Sequence, residues 1–311
     1  MKHFAVMFFI IALWCTALPS LQSIGFCDGV HAAVGEESKE ESVEESAPSF
    51  ESVQPLSVRV KTEKEDLHLS IEEYTARALS AVMAEDAPTE ALKAQVVAIR
   101  SFVLHRLNNP CHEDFDVCVN PNCCYPLSNT PAVLCVKAAS DTKGQILCYE
   151  NEAVLGLSHL SSCICTESYG DCPYLQSVPV YNEEQFECYK THYSFEEALL
   201  ATELSLDLAS LPDKLEDWVD HIEFTSGNRV KTVSVCGKSF SGGEFSHLLG
   251  LDSLCFTVNT NANGFDVVCY GSGSGYGLSR CTAMLMGAEG KDYREILSCF
   301  YPETELRFIK D

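Results

Sequence analysis

Two short stretches of the 311-residue chain hold side chains from which a site could be built. In "CHEDFDVCVNPNCCYP" (111–126), His112, Cys118, Cys123 and Cys124 fall within one Pro/Asn-rich run. Imidazole and thiolate are borderline-soft donors that suit tetrahedral zinc, and four of them in one loop can converge without help from distant elements. The spacing is not that of a zinc finger, and two disulfides or unpaired thiols fit it as well. A closed four-ligand set would leave no place for water, so a metal there would hold a loop that has no core of its own. The second stretch, "ALSAVMAEDAPTEALKAQVVAIRSFV" (78–103), contains Glu85 and Glu90. Each is either a general acid or an ordinary carboxylate at a helix end. Lys93 and Arg100 are seven residues apart, on one helix face, where they make a ligand clamp or a solvated edge. By type alone, His159 reads as a structural histidine at a strand end and Tyr174, beside Pro173, as core packing. The glycines at 271, 273, 275 and 277 do not form a phosphate loop, because no strand-to-helix GxxxxGK context surrounds them; backbone turning accounts for them.

The elements that must position these groups can be read from periodicity and punctuation. "LSVRVK" is a strand candidate followed by a polar turn. "SIEEYTARALSAVMAED" begins with Ser70 as an N-cap, carries acids in its first turn and repeats apolar residues at helical spacing. Pro88 breaks the pattern, and "TEALKAQVVAIRSFVLHRL" reads as a second, strongly apolar helix that Thr89 could cap. Residues 108–130 read as an irregular loop. "GQILCYENEAVLGLSHL", "DHIEFTSGNRVKTVSVCGKSF" and "FTVNTNANGFDVVCY" read as hairpins, the second turned at Ser226-Gly227-Asn228. A charged helix is expected near 194–204, and two helices, "CTAMLMGAEG" and "DYREILSCFY", close the chain. Helices and antiparallel hairpins without βαβ alternation imply an α+β architecture, helices packed on hairpins, with a zinc-stabilised loop if the 111–126 donors hold a metal rather than forming disulfides or free thiols.

With 45 acidic against 21 basic residues, a net charge of −24, the chain lacks the basic clusters by which general nucleic-acid binders neutralise phosphates. Its excess negative charge reads as a solubilising surface. Residues 1–33 have one early basic residue, an apolar run and a small-residue site, the layout of a secretory signal peptide or an uncleaved N-terminal membrane anchor. Either places the body outside the cytoplasm. Residues 34–55, rich in Glu and Ser, read as a disordered acidic linker, and 56–311 as the folded domain. Of the 17 cysteines, adjacent Cys123 and Cys124 and the near neighbours Cys163 and Cys165 suit a metal or free thiols better than simple bridges.

In order, "LSIEEYTARALSAVM…PTEALKAQVVAIRSFVLHRL", "DTKGQILCYENEAVLGLSHLSS", "PYLQSV", "NRVKTVSVCGKSFSGGEFSHLLGL" and "GKDYREILSCFYPETEL" make residues 66–305 resemble the stage II sporulation protein D family, related to the amidase enhancer of bacterial walls. The resemblance implies a peptidoglycan lytic transglycosylase acting on glycan strands stripped of stem peptides. Such an enzyme uses a single general acid/base Glu beside a partner amidase in forespore engulfment. One carboxylate suffices because the sugar's own hydroxyl is the nucleophile. Clostridial members carry a zinc loop of the form His…Cys…His-Cys, and Cys123 stands here for the second His, keeping four good ligands.

The same resemblance exposes departures. Counted back without gaps from Pro88, Glu90 and Lys93, the family's catalytic Glu falls on Val82. Glu85, three residues on, could share that helix face, but displaced by about 5 Å. The family's "S-T-S-G-G-R-T-E" becomes "LSSCICTE" at 160–167, a Lys becomes Gln176, and in "GSGSGYGLSRCTA" a His becomes Ser274 and a Gln becomes Arg280. Lys93, Arg100, His159, Tyr174 and Ser279 survive, and the resemblance favours the first four as substrate-binding residues. The expectation is an extracytoplasmic glycan-strand binding protein that has lost or nearly lost transglycosylase activity. The alternatives are an active enzyme using Glu85 as a displaced acid, and an amidase-activating adaptor.

Overall fold

The computed structural model describes residues 50–51, 56–207, 211–261 and 263–310. The expected signal or anchor (1–33) and most of the acidic linker lie outside these residues. Strands β1 (Phe50–Glu51), β2 (Ser57–Lys61) and β3 (Asp66–Ser70) lead into helices α1 (Ile71–Val82) and α2 (Thr89–Asn108). Then come β4 (Val117–Cys118), α3 (Val133–Asp141), β5 (Gln145–Tyr149), β6 (Glu152–Ala153) and β7 (Ser158–His159). A middle region holds β8 (Lys190–Glu196), α4 (Glu197–Glu203), β9 (Val219–Phe224), β10 (Val230–Val235), β11 (Lys238–Ser241), α5 (Gly242–Leu249), β12 (Phe256–Thr260) and β13 (Gly264–Tyr270). The chain closes with β14 (Leu278–Ser279), α6 (Arg280–Ala288), α7 (Tyr293–Phe300) and β15 (Glu305–Lys310). Small, mostly antiparallel sheets and seven helices among the described residues make the fold mixed α+β, as the hairpin and helix patterns predict.

Helix α1 starts where expected, with the Ser70 hydroxyl accepting from the Glu73 amide at 3.2 Å and Glu72 and Glu73 in the first turn. Helix α2 differs in one detail: Thr89 is its first residue, and the cap is Pro88, with no side-chain hydrogen bond. Every residue of α2 from Ala94 to Leu104 is buried, so this is a core helix enclosed on all sides rather than an amphipathic one. Helices α1, α3, α6 and α7 and strand β5 pack around it. The 145–153 hairpin turns at Glu150 and Asn151, both left-handed (φ 48° and 73°), the two-residue geometry that matches strand twist.

A second core gathers Trp218, Phe245, Phe256 and Phe265 between the β9–β10–β11 and β8–β13–β12 sheets. The charged helix expected at 194–204 is shorter: residues up to Glu196 continue β8, and only Glu197–Glu203 are helical. The alternation "THYSFE" pairs with β13 along its whole length, and that ladder overrides helix propensity. Lys190 pairs with Tyr270, so this region leaves and rejoins the first core at adjacent points. No helix among the described residues is long and apolar enough to cross a membrane.

Candidate functional site

Strands β7 and β14 run parallel, Ser158 opposite Leu278 and His159 opposite Ser279. The chain can pass this close only with glycine at 277, where a Cβ would lie 2.0 Å from the Leu157 carbonyl oxygen and φ is +66°. Above the pair opens a cleft of about 580 Å³. Ala81 and Val82 from the end of α1 and Phe102 and Arg106 from α2 form one side. The Pro121–Pro126 segment forms another, and Ser272, Gly273, Ser274 and Tyr276 of the glycine-rich turn a third, with Arg280 at the start of α6. Tyr169 meets Tyr276 edge-on, ring centroids 5.1 Å apart, at the cleft wall.

The cleft floor is polar and tightly bonded. The buried Gln95 donates to the Ser158 hydroxyl at 3.0 Å, and the Tyr125 hydroxyl donates to the Gly156 carbonyl at 2.7 Å. His159, 2 % exposed, donates from Nδ1 to the Tyr276 carbonyl at 3.0 Å, while its Nε2 accepts from the Ser162 hydroxyl at 2.6 Å. Burial, opposed by the Tyr276 hydrogen bond and reinforced by the nearby Arg229 and Arg280 charges, brings its pKa down to about 3, so the ring is neutral. Behind it the buried Glu183 carboxylate accepts from the Ser161 hydroxyl (2.7 Å), the Ser162 amide (2.6 Å), the Thr282 hydroxyl (2.6 Å) and the Ser279 hydroxyl. Glu183 gives no signal in the sequence, where "NEEQ" reads as a surface acid run.

The loop from Cys111 to Pro126 supplies the wall nearest Val82. An Asx turn at Asn120, with its side chain accepting from the Asn122 amide at 2.9 Å, and amides of Cys123 and Cys124 returning to the Asn120 carbonyl, point both thiols inward. His112, stacked on Phe115, lies 3.5 Å from Cys123 Sγ and 3.6 Å from Cys124 Sγ, and the two sulfurs are 3.6 Å apart. With Cys118 on β4, all four donor atoms fall within 4.8 Å of one another. Ligands about 2.0–2.3 Å from a tetrahedral centre are about 3.3–3.8 Å apart, so the donor set could hold a metal such as zinc. Burial pushes the Cys123 and Cys124 thiols up; a cation at the centre of the cluster would reverse this.

The other sequence candidates are not brought together. Lys93 pairs with Glu90 at 2.8 Å and lies 5.9 Å from the Tyr293 ring centroid, away from the cleft. Arg100 has no exposed surface; it forks onto Glu72 (3.0 and 2.7 Å) and donates to the carbonyls of Gln145 and Ala139. It therefore ties α1, α3 and β5 to the central helix rather than facing a ligand. Tyr174 accepts from the Leu155 amide at 3.2 Å, and burial raises its pKa to about 12. Glu85 is exposed, outside the cleft lining, with Cys135 of α3 near it. Of the residues expected to bind or act, His159, Cys123 and Cys124 line the cleft, and Val82 lines it too.

Residues 61–149 match the family model for stage II sporulation protein. The chain is 25% identical to stage II sporulation protein D of Bacillus subtilis (strain 168), over 98% of this chain and 96% of that one. On both counts the chain resembles the stage II sporulation protein D family. The protein of the same name from Bacillus amyloliquefaciens is 25% identical over 77% of this chain and 74% of its own. An uncharacterised protein of Brachyspira hyodysenteriae is 28% identical over 76% and 67%. The segment matching the sporulation protein D model spans α1, α2 and the cysteine loop, the three elements that wall the cleft on the Val82 side.

Proposed function

We propose that this protein belongs to the sporulation protein D family and acts outside the cytoplasm at the cell envelope, binding peptidoglycan glycan strands in the cleft without cleaving them. The observation that supports it best is that no carboxylate lines the cleft among the described residues, and Val82 stands where the resemblance puts the acid. Breaking a glycosidic bond requires a proton delivered to the leaving oxygen by a group within hydrogen-bond reach. The neutral His159 has both ring nitrogens engaged, and burial raises the Tyr125 hydroxyl above the ordinary tyrosine range. Neither is a proton donor near pH 7. Glu85 stands outside the lining, and catalytic groups tolerate far smaller displacements than a helical turn. The cleft volume falls within the span of small-ligand sites, about 300–1,000 Å³. A zinc ion held by His112, Cys118, Cys123 and Cys124 has a structural role, fixing the loop that forms one wall.

The test is incubation of the purified protein with peptide-free glycan, with products read by mass spectrometry and retention by co-sedimentation. Retention without anhydro-muropeptide release is expected, unchanged by Glu85→Gln. Release near the rate of an intact family member would overturn the proposal, and its loss in Glu85→Gln would make Glu85 the displaced acid.

A further inference from the structure

Six of the eight arginines pair with a carboxylate at 2.7–3.8 Å. The remaining two, Arg106 and Arg280, have no carboxylate partner among the described residues, and both line the cleft. In a chain with 45 acidic residues this is a pronounced segregation. Arg280 spends one donor on the Val82 carbonyl, and its Nε–H is shielded from solvent without an acceptor. Arg106 lies over the Phe102 ring, 5.0 Å from the centroid, and its Nε–H is likewise shielded and unsatisfied. Apart from the Cys123 and Cys124 sulfurs, which the proposed zinc would engage, the remaining ionisable cleft groups are tyrosines and the neutral His159, and none is a carboxylate that could pair with either cation. Burial lowers the pKa of Arg280, the mark of a cation without a partner. Two guanidinium groups held in a partly dry concavity draw in anions, and their fork geometry matches a carboxylate.

We propose that the cleft is an anion site that takes a carboxylate-bearing sugar, the carboxylate seated on Arg280 beside Val82 and attracted by Arg106. Resting on the glycan-binding function proposed above, the inference names the group recognised: the lactyl carboxylate of muramic acid. That carboxylate is free only where the stem peptide has been removed, because the peptide is joined to it as an amide. A positive charge thus occupies the neighbourhood where an active relative would present a negative one.

Calorimetric titration of the full-length protein with peptide-free glycan oligosaccharides and with neutral chitooligosaccharides of equal length separates charge from sugar recognition. The acidic strand is expected to bind at least about tenfold more tightly, the scale of a hydrogen bond to a charged group. Arg280→Gln should erase that preference, Arg106→Gln should reduce it, and Arg280→Lys should keep part of it. Circular dichroism of each variant checks the fold, and the half-exposed Arg106 keeps the test valid if Arg280→Gln does not fold. Equal affinity for both strands, or a preference left undiminished by Arg280→Gln and by Arg106→Gln, overturns the anion site and leaves glycan binding standing. In a parallel arm, acetate is titrated while the arginine Nε–H resonances are followed by NMR. Saturable shifts at Arg280 without glycan binding would keep the anion site and remove the glycan function. No response to acetate and no glycan binding would remove both.

Discussion

His159 makes two contacts, one of which protonation of the ring would reverse. Its Nδ1–H already serves the Tyr276 carbonyl, and its Nε2 accepts from a Ser162 hydroxyl that also receives a bond from Arg229 Nη2 at 3.3 Å. A second ring proton would turn that hydroxyl from donor to acceptor and place a buried charge beside the Arg229 and Arg280 guanidinium groups. The folded pKa of about 3 lies below the ordinary value near 6.5, so between those limits the unfolded chain binds a proton that the native one does not. Stability contributed by the neutral ring is complete above about pH 6.5 and lost as pH falls toward 3, with a slope of up to about 1.4 kcal/mol per pH unit. Urea denaturation at pH 7, 6 and 5 should show this decline, and His159→Gln should flatten it by close to one proton. Equal slopes in the two proteins would mean that His159 carries a charge in the fold.

Among the elements, the 111–126 loop enters the first core at Val117, Cys124 and Tyr125. Its other fixed points are the β4 pairing with β2, the Arg59–Asp116 ion pair at 2.7 Å, and the four-donor cluster. If the cluster holds the zinc proposed for it, removing the metal should loosen the cleft wall before it unfolds the core. One zinc per chain by metal analysis, and a lower melting temperature with earlier proteolysis of the loop after chelation, are the expected results. Cys118→Ser should behave like the chelated protein, whereas Cys111→Ser, an exposed position outside the cluster, should not. A metal-free protein with unchanged loop protection would refute the assignment. The convergence of these four donors was legible in the sequence because the loop is local; so were α1, from its Ser70 cap and periodicity, and α2, from the Pro88 break and its apolar run. Helix α3 and strand β15 were not, since each owes its conformation to partners far along the chain: β15 to β5, and α3 to the flanks of α1 and α2. The Lys93–Arg100 clamp failed for a related reason. Shared helical spacing puts two residues on one face, but only tertiary packing decides whether that face meets solvent or, as at Arg100, a partly exposed carboxylate from another helix.

Across the whole described fold, Arg229 is a buried polar tie between the two cores. It leaves the β9–β10 hairpin of the second core, is 3 % exposed, and reaches the first-core segment at the Cys165 carbonyl (3.1 Å), the Ser162 hydroxyl (3.3 Å) and the Glu167 carboxylate (3.5 Å). Glycine at 275 is the counterpart of this contact: a Cβ there would lie 2.2 Å from Arg229 Nη2. Removing one partner of a buried ion pair costs about 3–5 kcal/mol, mostly from the charge left behind. Arg229→Gln should thus destabilise the protein by roughly that amount and also uncouple its halves. Trp218, fully buried in the second core, reports that half by fluorescence once Trp14 is replaced by Phe, while far-UV circular dichroism follows both. With Arg229 in place the two signals should change together on heating. In Arg229→Gln the fluorescence change should come first, because the smaller core loses its anchor to the helix-rich one. If the signals stay coincident at a lower temperature, the Lys190–Tyr270 pairing and its neighbouring strands carry the coupling instead. Loss of the Arg229 contacts would also free the Ser162 hydroxyl beside His159, so the same variant should perturb the cleft floor from a distance.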